Sequence, residues 1–282
     1  MRVRYSFSSR RTGQIAEGNK HREPYPKLVK EVIKISDIIL EILDARFLRE
    51  TRNIELEKLI KESGKKIIYV INKADLVNIE DLKANELLSE LMPHAFVSCK
   101  QRKGIRELRN RIKIEVKRLH LKEIKKMERA QIGIIGYPNT GKSSLLNILV
   151  GGKPARKSPQ AGFTRGIQKV RLSKGILILD TPGVIPEKEY SPTGLPELKK
   201  YAKIGVRTYD KMKNPEFVLA GLMKQYPNVF EKFYGIEANG DSEVLINEIG
   251  KKRNFLKKMG LIDSDRTARA ILKDWQEGKI RA

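Results

Sequence analysis

Cysteine is nearly missing from this 282-residue chain. Cys99 stands alone, so no internal disulfide can form and no thiolate cluster can hold a structural zinc. That usage suits a reducing, cytoplasmic setting without a disulfide partner. Long apolar runs are missing as well. The best candidate, VIKISDIILEIL, is interrupted by Lys34, Asp37 and Glu41, far from the roughly eighteen apolar residues of a membrane span. No export signal is legible: the twin arginine in MRVRYSFSSRRTGQIAEG has no apolar stretch behind it, and the segment reads as a mature N-terminus. Internal repeats and low-complexity tracts are absent from the sequence. Negative charge is scarce, with 34 Asp and Glu against 58 Lys and Arg and a net charge of +24. Such a field attracts polyanions, which leaves RNA, DNA or an anionic surface as partner classes.

What is there divides into two styles. The length suits one nucleotide-sized domain plus a smaller partner. From 28 to 180, short apolar runs alternate with amphipathic ones, the pattern of a largely parallel sheet covered by helices on both faces. Strands are expected at IILEILD (38–44), KIIYVIN (66–72), AFVSC (95–99), QIGIIGY (131–137) and GILILD (175–180), with GIQKVRLS (166–173) antiparallel to the last. Helices are expected at NIELEKLIKES, EDLKANELLSELM, GIRELRNRIKIEVKRLHLKEIKKMERA and GKSSLLNILVG; the third, with its basic outer positions, reads as a solvated surface helix. Beyond Gly183, Pro and Gly cluster, and from about 195 the apolar spacing is helical. The expectation is an α/β domain over 1–190, with a basic N-terminal segment over about 1–27, and a small all-α domain over 191–282.

Four short stretches carry chemistry. GYPNTGKS (136–143) fits the phosphate-loop pattern between a strand and a helix. There, backbone N–H groups from Asn139, Thr140, Gly141 and Ser144 surround phosphates, Lys142 adds charge at the β and γ positions, and the Ser143 hydroxyl suits Mg²⁺. DTPG (180–183) ends a strand, so Asp180 is expected in the Mg²⁺ shell and the Gly183 N–H at a γ-phosphate. NKAD (72–75) selects the base: Asp75 can accept two hydrogen bonds that guanine offers and adenine does not, Asn72 can contact the other edge, and Lys73 can lie along the ring. SCK (98–100) follows the next strand, where Ser98 or Cys99 allows a backbone N–H to reach the guanine oxygen and Lys100 flanks the ring. In the loop GGKPARKSPQAGFTRGIQK, Thr164 is the hydroxyl assigned to Mg²⁺ and γ-phosphate, the alternative being an ordinary loop threonine. Lys142, Thr164 and Gly183 are thus the expected catalytic contacts, with GTP and GDP as ligands.

The motif order NKAD, SCK, GYPNTGKS, AGFT, DTPG resembles that of the circularly permuted GTPases, within them the YlqF/RbgA ribosome-assembly family and its archaeal and nucleolar relatives. DAR (44–46) looks like a further family signature, and IGKKRNFLKKMG and DRTARAILKDWQEGKI look like its helical C-terminal domain. The resemblance implies a Ras-like fold, permuted but spatially complete, followed by an RNA-binding helical domain, and a role in late assembly of the large ribosomal subunit through rRNA. It also implies slow intrinsic hydrolysis, since Val184 and Ile185 stand where a water-orienting glutamine is usual, and activation by K⁺ with Asn139 as ligand. Asn139 as a mere loop-shaping residue is the alternative. His21 lacks the family's usual surroundings and is read as solvated or RNA-facing; His94 and His120 carry no evident chemistry. A monomer is expected. In the tail, KKR (251–253), Lys257, Lys258, Arg266 and Arg269 are candidates for phosphate contact, while Phe255 and Trp275 read as helix-packing aromatics. The competing function is a non-hydrolysing, nucleotide-regulated RNA-binding scaffold; retention of Lys142, Ser143, Asp180 and Thr164 speaks against a decayed site. A small-subunit factor with a barrel and a zinc tail, and an ATP-dependent enzyme, fit less well.

Overall fold

The computed structural model describes residues 25–122, 129–151, 168–173, 175–181 and 200–281, apart from 202 and 207. Six strands form one sheet: β1 (Ile38–Asp44), β2 (Lys66–Asn72), β3 (His94–Phe96), β4 (Ala130–Ile135), β5 (Gln168–Ser173) and β6 (Ile176–Asp180). Their spatial order is β3-β2-β1-β4-β6-β5. All neighbours are parallel except β5 and β6, which pair antiparallel as expected.

Parallel strands covered on both sides read as continuous apolar runs, and β1 is buried at all seven positions. Ile38, Leu40 and Ile42 face one apolar layer, which includes Leu108, Ile112 and Val116 of α6 (Ile105–Lys122) and Leu145, Leu146 and Leu149 of α7 (Lys142–Val150). Ile39 and Leu43 face the other layer, with Val29 and Ile33 of α1 (Tyr25–Ile35) and Ile60 of α3 (Ile54–Glu62), the helix that follows the short α2 (Leu48–Thr51). Asn53 caps α3 by accepting from the Leu56 N–H at 3.1 Å.

Two expected elements change. The helix across EDLKANELLSELM is split into α4 (Ile79–Lys83) and α5 (Leu87–Glu90). Asn85 causes the break: its side chain accepts from the Leu87 N–H at 3.0 Å, competing with a continuous helix. Strand β3 stops at Phe96 rather than Cys99, because Ser98 turns back to pair with Lys103 through both backbone groups.

The expected boundary near 190 falls outside the described residues. Beyond it lie α8 (Pro215–Gln225), α9 (Val229–Tyr234), α10 (Ser242–Lys252) and α11 (Ser264–Gln276). Helix α11 buries Thr267, Ala268, Ile271, Leu272 and Trp275 along one stripe. The Trp275 ring stacks on Phe230 with centroids 5.3 Å apart and meets Tyr226 at 5.0 Å and Phe47 at 6.1 Å. Phe47 follows β1 and Tyr137 follows β4, so the helical core includes side chains from the strand-end loops.

Candidate functional site

In a parallel sheet every strand delivers its carboxyl end to the same edge, where ligands bind in open α/β folds. Here that edge gathers DAR after β1, NKAD after β2, SCK after β3, the phosphate loop after β4 and Asp180 at the end of β6. Chain order is irrelevant to this assembly, since adjacency in the sheet sets which loops meet.

The phosphate loop turns through left-handed backbone at Asn139, with φ of 61°, and at Gly141, with φ of 101°. Gly141 then starts the nine-residue α7, whose N-terminal amides point toward the loop's concavity. The buried Lys142 ammonium donates to the carbonyls of Gly136 at 2.8 Å and Tyr137 at 2.6 Å, which holds it within the loop. Thr140 is buried and donates from its hydroxyl to the Tyr137 carbonyl at 2.9 Å, fixing the loop from inside.

Asn72 ties three loops together. Its Nδ2 donates to the Thr140 carbonyl at 2.7 Å, and its Oδ1 accepts from the Cys99 N–H at 3.3 Å. At 2 % exposure, with both amide ends engaged, Asn72 positions the loops and itself lines the pocket between them. Asp75 accepts at Oδ1 from the Ser98 hydroxyl at 2.6 Å, and that hydroxyl in turn accepts from the Gln101 N–H at 3.0 Å. Ser98 therefore orients the Asp75 carboxylate. Its own backbone N–H donates to the Lys103 carbonyl at 3.1 Å and the Cys99 N–H to Asn72, and Cys99 and Lys100 stand on the pocket wall.

Asp44 opens the DAR stretch at the end of β1. Its buried carboxylate meets Lys73 Nζ at 2.7 Å and Arg46 Nη2 at 2.8 Å. Burial pushes this carboxyl up, but Lys73 and Arg46 together hold it down at about 2. Lys73, in left-handed backbone at φ of 61°, is thus fixed from behind while its stem lines the pocket. Arg46 reaches further, donating from Nη1 to the Trp275 carbonyl at 3.2 Å.

These groups surround a pocket of about 330 Å³ lined by Lys73, Asp75, Cys99, Lys100, Asn139 and Ser144 among others. Its volume lies within the ordinary range of ligand sites. Asn139 also donates from Nδ2 to the Gly205 carbonyl, a link from the phosphate loop to the helical region. For Asp180 only the backbone position is described, beside Ile134 at the root of the phosphate loop. Ser143 stands in the first turn of α7, on the other side of that loop. Thr164 and Gly183 lie outside the described residues, as do Val184, Ile185 and His21.

The tail's cations are not equivalent. Arg269 is held by Asp265 through both ends of its guanidinium, at 2.6 and 2.9 Å, and donates to the carbonyls of Tyr209, Asp210 and Met212. It braces α11 against the turn that precedes α8, with its donors used inside the protein, which corrects its assignment to phosphate contact. Arg266 lies over Phe255 at 4.3 Å, whereas Lys257 and Lys258 flank the protruding Met259. On α6, Arg109 turns inward to donate to the Ile148 and Leu149 carbonyls at the end of α7, so this helix is more than a solvated face.

Fold and site define a class: a phosphate-loop nucleotide-binding protein of the Ras-like kind, with its base-selecting motifs placed before the phosphate loop in the chain. Comparisons with known proteins narrow this. The sequence pattern of 50S ribosome-binding GTPases matches residues 131–222. An uncharacterized GTP-binding protein of Methanocaldococcus jannaschii is 39 % identical over 262 residues, covering 91 % of this chain and 66 % of that protein. Nucleolar GTP-binding protein 2 of Saccharomyces cerevisiae is 31 % identical over 260 residues, covering 89 % of this chain and 51 % of its own length. The chain thus spans less than two thirds of these relatives, about half in the yeast case. Among solved structures, GNP-bound YlqF from T. maritima superposes with a TM-score of 0.62 over 90 % of this chain and 94 % of that one, at 21 % identity. Its GDP-bound form gives 0.60 over 89 % and 94 %, at 22 %. The chain shares the fold of YlqF and is similar in sequence to GTP-binding proteins.

Proposed function

We propose that the protein binds GTP and GDP and hydrolyses GTP, and that it does so in assembly of the large ribosomal subunit through rRNA contacts. The observation that carries the nucleotide reading is the Asn72 tie, which draws NKAD, SCK and the phosphate loop around one pocket. Asp75, oriented by Ser98, selects guanine, because adenine would leave a desolvated carboxylate without donors. The α7 N-terminus and the loop amides hold the phosphates, and the Lys142 ammonium needs only to exchange loop carbonyls for phosphate oxygens.

The donor set suits Mg²⁺, which takes hard oxygen ligands: the Ser143 hydroxyl and the Asp180 carboxylate come from adjoining strand ends, with Thr164 proposed as a third group. Bound there with the phosphates, the ion would neutralise charge developing on the β and γ oxygens. For K⁺, the Asn139 amide is turned with Nδ2 on Gly205, which directs Oδ1 away as the end that suits a cation. Gly183 would report the γ-phosphate through its N–H. With Val184 and Ile185 unable to orient water by a side-chain hydrogen bond, intrinsic turnover is slow.

The partner reading rests on the net charge of +24 and on relatives named as nucleolar GTP-binding proteins. We place the protein in the cytoplasm, as a monomer until it meets a subunit, with 191–282 as a helical RNA-binding domain after a GTPase domain over 1–190. Among the described residues no helix is long and apolar enough to cross a membrane. GTP turnover in potassium and in sodium buffer, with separated large or small ribosomal subunits, tests the proposal. Stimulation by large subunits that is lost in sodium is expected. Tight GTP binding without turnover under any condition would favour the scaffold alternative.

A further inference from the structure

One wall of the nucleotide pocket comes from none of the nucleotide motifs. Glu277, the residue that caps the C-terminus of α11, lines the same cavity as Asp75, Lys100 and Gly141. Three contacts hold this wall in place. Arg46 donates to the Trp275 carbonyl at 3.2 Å, and Asn139 donates to the Gly205 carbonyl. Gly278, with φ of 72°, lies against Leu76, so closely that a Cβ there would come within 2.3 Å of Leu76 Cδ1. The residue touched by Gly278 is the immediate neighbour of the base-selecting Asp75.

We propose that Glu277 binds the ribose hydroxyls of the nucleotide, an inference that rests on the guanine-nucleotide reading of the pocket. Asp75, Lys73 and Lys100 mark the base end of the cavity, while Gly141 and Ser144 mark the start of the phosphate end. The sugar joins base to phosphate and must lie between them. Vicinal hydroxyls are hydrogen-bond donors, and an ionised carboxylate only accepts, so the two match. Acidic side chains meet the ribose in the same way in dinucleotide-binding folds. Of the residues that line this pocket, the other carboxylate is Asp75, already engaged by Ser98.

Charge does not forbid the arrangement. Lys279 Nζ lies 2.9 Å from one Glu277 oxygen and Lys273 Nζ lies 3.9 Å from the other, so a paired carboxylate, not a bare one, stands near the phosphates. The side chain is 43 % exposed and open to a ligand. Because Glu277 belongs to the helical region, a nucleotide held by both Asp75 and Glu277 bridges the strand-end loops and α11. Nucleotide occupancy and docking of the helical region then favour each other by linkage.

The test is equilibrium binding of GDP, ADP and 2′,3′-dideoxy-GDP to the full chain, as wild type and as Glu277→Ala. A hydrogen bond to a charged group corresponds to about a tenfold change in affinity. The wild type is expected to bind the dideoxy analogue about tenfold more weakly than GDP, and Glu277→Ala to bind both about equally. A wild type that does not distinguish GDP from its dideoxy analogue overturns the inference, with or without a folded variant. So does a Glu277→Ala protein that distinguishes them as the wild type does. Tight, guanine-selective GDP binding in either case leaves the reading of the pocket standing; equal affinity for GDP and ADP removes that reading and this inference together.

Discussion

Single side chains set the geometry of this site, and two of them show how closely it is built. A Cβ at Gly141 would lie 2.2 Å from Asn72 Nδ2, in backbone whose φ of 101° already disfavours any other residue. Gly141→Ala is therefore expected to push Asn72 off the Thr140 carbonyl and weaken GDP binding about 5- to 150-fold, the effect of leaving a buried hydrogen bond unmade at about 1–3 kcal/mol; calorimetric affinity checks this, and an unchanged value contradicts the role given to Asn72. Glu41 carries a different message. Read in the sequence as an interruption of an apolar run, it is fully buried in β1, with Oε1 accepting from the Asn53 N–H at 3.0 Å. Burial, and next the neighbouring Glu57, push its carboxyl from 4.5 up to about 8. Below about 4.5 it is protonated in the folded and unfolded chain alike; as pH rises to about 8 the unfolded chain loses its proton first, so stability falls across that window and the loss is complete above it. Glu41→Gln should thus gain in Tm over the wild type steadily between about pH 4.5 and about pH 8 and level off above. A difference that stays constant with pH would contradict this account. Asp44 has the opposite sign: its contribution is present above 3.8 and is lost as pH falls through about 2. Neither burial was legible in the sequence, because a charged residue inside a strand looks the same whether its neighbours are water or Asn53.

At the level of elements, α11 joins the helical core to the nucleotide pocket. Trp275→Ala removes a ring that touches Phe47, Tyr226 and Phe230, and is expected to destabilise by about 3–5 kcal/mol in urea unfolding. Gly278→Ala is a subtler change: the added methyl meets Leu76, so it should loosen the seat of α11 and reduce GDP affinity several-fold while most of the helical core stays intact. Equal GDP affinity in wild type and Gly278→Ala would show that the seat does not matter to the pocket. Most elements were legible because their apolar spacing is unambiguous: the continuous runs of β1, β2 and β6, and the stripe of α6 at Leu108, Ile112 and Val116. The split between α4 and α5 was not, because a single Asn85 side chain competing for the Leu87 N–H leaves the hydrophobic pattern unchanged. Arg269 misled for a related reason. In a basic tail it looks like its neighbours, and only the carbonyls of Tyr209, Asp210 and Met212 distinguish a brace from a free cation.

For the whole molecule, the reversed motif order has a simple physical meaning: β2, β3 and β4 deliver their loops to one edge whichever comes first along the chain. The motifs themselves were fully legible, since each is a short stretch with its own chemistry. The contributions of Arg46, Gly205 and Glu277 were not, because they join the site only through contacts hundreds of residues or many tens of residues apart. The net charge of +24 gives a further expectation at this scale: binding to ribosomal RNA should weaken steeply with salt, log K falling linearly with log salt concentration. Binding that is insensitive to salt between about 50 and 200 mM would argue against phosphate contacts as its source. The central claim, that these loops form a guanine-nucleotide site, is tested most directly by the affinities of the wild-type chain for GDP and ADP with Mg²⁺ present. The structure predicts GDP binding tighter than ADP by at least about 10³-fold, the scale on which an unpaired buried carboxylate rejects the wrong base. Equal affinities, or no binding of either, would contradict it.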